Sequence, residues 1–208
     1  MPTRIKICGV MRPEDAALAA ELGVDAVGVI RHPGSRRFVD GEALRKIIAA
    51  CRPFVTVVGV YVDAPPEQIR EEKWTLGLGA VQLHGVETPQ TVRDLSPLNV
   101  IKMIRPGVTS PTPYGRVPIV VDTPHTVDAG GSGIENEWDL VETMLADGRL
   151  DRGRTLVAGG LRPQNVGAVV RRLRPYGVDV SSGVESEFGA KDPAKLRAFV
   201  KEVRAASA

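Results

Sequence analysis

Short runs of apolar, β-branched residues recur along the whole chain, separated by stretches that alternate polar and apolar positions with a helical period. The runs fall near 4–8 (RIKIC), 25–30 (DAVGVI), 55–62 (VTVVGVYV), 79–83 (GAVQL), 99–104 (NVIKMI), 118–122 (PIVVD), 154–158 (RTLVA) and 177–180 (GVDV). Runs of this kind, apolar at nearly every position, predict strands of a parallel sheet buried on both faces. Between them lie amphipathic patterns. PEDAALAAELG at 13–23 opens with a proline and two acids and ends at a glycine, which are helix start and stop signals. RPQNVGAVVRRLRPYG at 162–177 and KDPAKLRAFVKEVR at 191–204 carry apolar residues at i, i+3 and i+4.

Eight strands alternating with helices in 208 residues predict a compact (β/α)8 barrel (a TIM barrel), with a doubly wound sheet as the rival reading. One unit is defective. Residues 105–117, RPGVTSPTPYGRV, hold three prolines, and a loop is expected in place of the fifth helix. No linker, charge block or low-complexity tail interrupts the pattern, so residues 1–208 are read as a single domain.

Composition narrows the function. Apolar residues make up 43% and charged residues 25%, the mix of a soluble globular protein. The net charge of +2 is too small to favour nucleic acid or an anionic membrane as a partner. The longest apolar run is far shorter than the ~20 residues of a membrane span. The N-terminal MPTRIKIC is too short and too charged for a signal peptide, and the two cysteines make no disulfide framework, which together predict a cytoplasmic protein.

In such a barrel the active site lies at the C-terminal ends of the strands. There the sequence places Cys8 and Gly9, Arg31 with HPGSRRF, Asp63, Gln82 with His84, Lys102 to Arg105, Asp122, Gly159 with Gly160, and Ser181 to Gly183. The turns after strands seven and eight, AGGLRPQN and SSGVES, are glycine-bearing and suit a phosphate, because backbone N–H groups approach an anion closely there. Cys8 taken alone reads as a small buried apolar residue or as a reactive thiol, and Cys51 as core filler or an inert surface thiol. Asp122 reads as a helix cap, a loop acid, or a carboxyl group held ready to donate a proton. His32, His84 and His125 lack ligand spacing, so no metal site is expected.

KICGV, DAVGVIRHPGSRRFV, VGVYVDAP, AVQLHGVE, VVDT…GGSG, VAGGLRPQNV and PYGVDVSSGVES…GAKDPAKLRAFV, in this order, resemble the phosphoribosylanthranilate isomerase family of tryptophan biosynthesis over nearly the full length. The resemblance implies a cofactor-independent Amadori rearrangement of N-(5-phosphoribosyl)anthranilate. It implies Asp122 as general acid and Cys8, as thiolate with a lowered pKa, as general base. Arg37 would hold the anthranilate carboxylate, with Arg36 as its rival. Gln82, His84 and Asp179 match substrate-facing positions, although His84 also suits orienting a loop and Asp179 a structural ion pair. The phosphate would rest on Gly159, Gly160, Ser182 and Gly183.

The partner implied is a phosphorylated small molecule, met by a monomer or a homodimer. The segment IENEWDL at 134–140 lacks the lysine usual in the family, TPHTVDA at 123–129 is atypical of the substrate-covering loop, and Arg31 and His32 stand where aromatic residues are common. Two other readings stay open: a histidine-pathway sugar-phosphate isomerase, which would use two aspartates, and a phosphate-ligand binding barrel without catalysis.

Overall fold

A computed structural model describes residues 2–51, 53–123 and 133–207, with the side chains of 133–137 outside that description. Eight parallel strands close into a barrel in chain order. They are β1 (Arg4–Ile7), β2 (Ala26–Ile30), β3 (Thr56–Tyr61), β4 (Ala80–Leu83), β5 (Val100–Ile104), β6 (Ile119–Asp122), β7 (Thr155–Ala158) and β8 (Gly177–Val180). Every predicted strand is present, and each end lies within one residue of its apolar run. The helices α1 (Pro13–Glu21), α2 (Gly41–Cys51), α3 (Pro66–Thr75), α4 (Pro89–Asp94), α5 (Gly133–Ala146), α6 (Pro163–Leu173) and α7 (Pro193–Ala206) alternate with them. Helices outside and side chains inside bury both faces of the sheet, and this is why the strands read as unbroken apolar runs.

The barrel closes where β1 meets β8. Arg4, Ile5, Lys6 and Ile7 pair in register with Gly177, Val178, Asp179 and Val180, and the Cys8 amide extends the seam by donating to the Val180 carbonyl at 2.7 Å.

Helix boundaries follow local chemistry. The pattern over 162–177 stops at Leu173, because Arg174 takes a left-handed conformation (φ 47°) just before Pro175. The pattern over 191–204 begins two residues late, at Pro193. Asp192 caps that helix, accepting from the amides of Ala194 and Lys195. Lys191 belongs to a small hairpin that the sequence did not reveal, β9 (Glu185–Glu187) with β10 (Ala190–Lys191).

The fifth connection holds only one 3-10 turn, Thr112–Tyr114, so the proline-rich segment replaces a helix as expected. Tyr114 fastens it by donating from its hydroxyl to the Glu87 carbonyl at 3.0 Å. Glu87 in turn organises the loop after β4. Its carboxylate accepts from the amides of Asp63 and Gly85 and from the Lys102 ammonium at 2.7 Å, and both ionic partners are buried. Removing one member of such a pair strands the other charge away from water. Lys102→Met should therefore lower the unfolding free energy by about 3–5 kcal/mol in urea titrations, and Lys102→Met with Glu87→Leu should recover most of the loss.

Candidate active site

The C-terminal ends of the strands surround a pocket of about 370 Å3. Cys8 enters it from the end of β1, His84 from just past β4, Asp122 from β6 and Asp179 from β8. Arg37 reaches it from the loop after β2, and Gly159, Gly160, Ser182 and Gly183 form one wall. Of the residues to which the resemblance gives a part in catalysis or binding, the rival Arg36 aside, only Gln82 does not line it. A larger cavity of about 1070 Å3 opens at the opposite end, among strand starts such as Ile5, Val24 and Val100. That end is mainly apolar and holds neither cysteine nor histidine, whereas barrel chemistry is carried at the C-terminal face.

Cys8 is half-buried and Cys51 is fully buried in the core, both as free thiols. Burial pushes the Cys51 thiol up to about 11. Burial also pushes the Cys8 thiol up; the neighbouring Lys6 and Lys191 cations pull it down, and the Asp179 carboxylate reinforces burial. The upward balance corrects the expectation of a lowered thiol pKa. The cations invoked to lower it are present, but desolvation outweighs them.

Beneath Cys8, the Lys6 ammonium donates to Asp179 Oδ2 at 2.8 Å, in a pair buried inside the barrel. This is the structural pairing that the sequence left open for Asp179. Its second oxygen, Oδ1, is buried without a partner among the described residues. Lys191 crosses the seam from β10, donating to the carbonyls of Cys8 (2.7 Å) and Ser181 (3.1 Å) and to Glu185 Oε1 (3.1 Å).

Arg37 is already engaged. Its Nη2 donates to Glu185 Oε2 at 2.8 Å and its Nε to Glu185 Oε1 at 3.2 Å, while the Phe188 ring stacks 4.1 Å from the guanidinium. Arg36 stacks on the same ring but is exposed and lies outside the pocket lining, so the geometry favours Arg37 over its rival. Arg31 turns away from the site. It pairs with Glu72 at 2.8 Å and lies over Phe38, so its place in the sequence motif serves packing.

Gln82 lies fully buried below His84, and its Nε2 stands 3.1 Å from His84 Nδ1. With that amide donating, the imidazole proton sits on Nε2, which points toward Asp122 Oδ2 at 3.6 Å. That separation is too long for a hydrogen bond, but it places an imidazole edge against the carboxylate.

The two glycine turns meet tightly. Gly159 has φ 90°, and a Cβ there would lie 2.1 Å from the Thr123 carbonyl oxygen, so no other residue fits. Asn165 braces the turn, accepting from the Arg162 amide at 2.8 Å and donating to the Gly160 carbonyl at 2.9 Å. His125, and the rest of 124–132 in the loop expected to cover the substrate, lie outside the described residues.

The model of the N-(5'phosphoribosyl)anthranilate (PRA) isomerase family matches residues 5–202. The chain belongs to the phosphoribosylanthranilate isomerase family. A Myxococcus xanthus isomerase of this family is 41% identical over 98% of this chain and 97% of its own length. The family's structure from Thermotoga maritima superposes with a TM-score of 0.85 at 37% identity, covering 98% of this chain and 99% of that one. Monomers generated from the dimeric phosphoribosylanthranilate isomerase of Thermotoga maritima give 0.81 at 33% with the same coverage. A phosphoribosylanthranilate isomerase in complex with reduced 1-(o-carboxyphenylamino)-1-deoxyribulose 5-phosphate gives 0.82 at 34%, again covering 98% and 99%.

Sequence reasoning missed Lys6, Glu185 and Lys191. Lys6 carried a signal, a lone cation inside an apolar strand two residues before Cys8; Glu185 and Lys191 sit in a polar segment with no signal of their own. The two thiols should differ in chemistry. Iodoacetamide should alkylate Cys8 in the folded protein and leave Cys51 untouched, as read by peptide mass spectrometry. Only the thiolate reacts, and its formation at Cys8 is held back by burial, so the Cys8 rate should still be rising at pH 9.0.

Proposed function

We propose that this chain converts N-(5-phosphoribosyl)anthranilate to 1-(2-carboxyphenylamino)-1-deoxyribulose 5-phosphate in tryptophan biosynthesis, with Asp122 as general acid and Cys8 as general base. The carrying observation is that an accessible thiol and a carboxylate line one pocket together with two glycine turns. Family membership supplies the reaction. Asp122 protonates the ribose ring oxygen, and the ring opens to an iminium. The iminium acidifies the adjacent carbon, and the Cys8 thiolate takes its proton. The enolamine then tautomerises to the ketone with no net proton gained or lost. The substrate's phosphate rests on the wall of Gly159, Gly160, Ser182 and Gly183. Arg37 exchanges Glu185 for the anthranilate carboxylate, a like-for-like replacement of one bidentate carboxylate by another. Asp179 Oδ1, buried without a partner, offers an acceptor to a substrate hydroxyl, and the imidazole of His84 steadies the charge left on Asp122.

Each proton transfer is worth about 10²–10⁴-fold. Cys8→Ser and Asp122→Asn should each lower kcat by that order while far-UV circular dichroism stays unchanged, with turnover followed by loss of anthranilate-substrate fluorescence. Ligand binding without turnover in wild type, unchanged in both variants, would support a binding barrel without catalysis. Turnover of the histidine-pathway precursor alone would replace this assignment by that isomerase. Wild type, but not Cys8→Ser, should rescue a tryptophan auxotroph lacking this step.

Among the described residues no helix is long and apolar enough to cross a membrane. A base that must remain a free thiol suits the reducing cytoplasm, where we place the protein. Its assembly follows from the other end of the barrel. Phe54 is 91% exposed beside the apolar 1070 Å3 cavity that it helps to line, and the Thermotoga maritima relative is dimeric. We infer a homodimer in which the N-terminal ends of two barrels meet and Phe54 is covered. Sedimentation should give twice the chain mass for wild type and the single-chain mass for Phe54→Glu.

A further inference from the structure

Lys6 and Cys8 are two residues apart on one strand, so alternation turns both into the barrel interior, one layer above the other. The two side chains share one small volume. A Cβ placed on Gly28 of the neighbouring strand would lie 2.9 Å from Cys8 Sγ and 3.1 Å from Lys6 Nζ, so the bare backbone at Gly28 is what leaves room for sulfur and ammonium together. Asp179, opposite Lys6 in the β1–β8 register, is the acceptor that fixes Nζ, and the pair is almost wholly removed from water. A lysine carries three donors; one goes to Asp179, and the Cys8 sulfur is the other group that Nζ faces.

Stability alone gives little reason for this arrangement. A buried ion pair is commonly no better for stability than an apolar pair of the same volume. Its place directly under the sulfur gives it another use. We propose that Lys6 is a positioning residue for the reaction: clamped by Asp179, its ammonium stands beneath Cys8 as the fixed counter-charge of the thiolate. This rests on the proposed role of Cys8 as base.

The other charges facing the sulfur are accounted for. Lys191 from the hairpin is committed to two carbonyls and Glu185, and Arg37 is committed to Glu185. Asp122 and His84 also line the pocket. Lys6 is thus the cation on the thiol's own strand, and it is the strongest influence favouring the thiolate, whereas Asp179 opposes it.

That opposition gives the test a sign that a purely structural pair would not produce. In a Cys51→Ala background, absorbance at 240 nm, read as the difference from the same protein carrying Cys8→Ser so that the three tyrosinates cancel, titrates the Cys8 thiolate alone. Lys6→Met should move the titration midpoint up and Asp179→Asn should move it down, each by about one pH unit, equivalent to tenfold in thiolate population. The acid limb of kcat/KM should move with it, so the activity lost by Lys6→Met near neutral pH should return in alkali. Both substitutions moving the midpoint the same way, or neither moving it, would overturn the proposal. If Lys6→Met does not fold, Lys6→Gln and the Asp179→Asn arm carry the same signs. The titration reads Lys6 without turnover, so an active Cys8→Ser enzyme would defeat the assigned base while the absorbance result still reported on Lys6.

Discussion

Pairing of the first strand with the eighth is the contact on which the site depends. Sequence separates Lys6 from Asp179 by 173 positions, and only closure of the barrel places them face to face. The same seam fixes the Cys8 backbone through Val180, and the Lys191 ammonium spans its upper edge from Cys8 to Ser181. A doubly wound sheet built from the same strands would leave β1 without this neighbour. The thiol, its cation and its opposing carboxylate are therefore consequences of topology as much as of residue type. Closure joins the two ends of the chain's strand order, so the site is completed only when the last strand docks.

Three lysines are buried among the described residues, each against a carboxylate, and the three pairs divide the labour of the pocket. Lys102 with Glu87 stiffens the loop that carries His84. Lys191 with Glu185 ties the β9–β10 hairpin to the seam and holds the carboxylate that orients Arg37. Lys6 with Asp179 lies under the thiol. Desolvating an ammonium and a carboxylate costs several kcal/mol per ion, and their attraction only roughly restores this, so such pairs add little stability. They add definition instead. Each group has few acceptable positions, because leaving its partner exposes a charge to an apolar interior.

The strands and the two glycine turns were legible because their signals are local. An unbroken apolar run marks a doubly covered strand, and two glycines directly after one mark a tight turn. The failed fifth helix was equally local, written in three prolines. The hairpin over 185–191 was not legible: SEFG is short and polar, and its role is set by where Lys191 arrives after the chain has wrapped the barrel. Gln82 was grouped with the pocket residues because it lies near the end of the fourth strand and matches a substrate-facing position of the family, but packing buries it beneath His84. The direction of the Cys8 thiol's shift was also missed. Sequence identifies neighbours that favour a thiolate, but the desolvation that opposes them is a property of the packed mouth. Lys6 and Asp179 stood in plain view as single charges within apolar strands, and the barrel reading already made the first and last strands neighbours.

The two ends of the barrel differ for a reason that also locates the chemistry. At the start of each strand, chain arrives from a helix and packs apolar residues against its neighbours, which leaves the wide, mainly apolar cavity beside Phe54. At the end of each strand, the ladder stops and the next residues must satisfy their own backbone groups through loops, so polar side chains and glycines collect there. Volume alone would select the wrong end. What marks the smaller pocket is unresolved electrostatic business: a buried carboxylate oxygen with no partner among the described residues, a guanidinium held by one acid, and a thiol whose cation and anion pull in opposite directions. A site built only for stability would have settled these conflicts internally. Here they remain open toward the pocket that is proposed to receive the phosphorylated, carboxylate-bearing substrate.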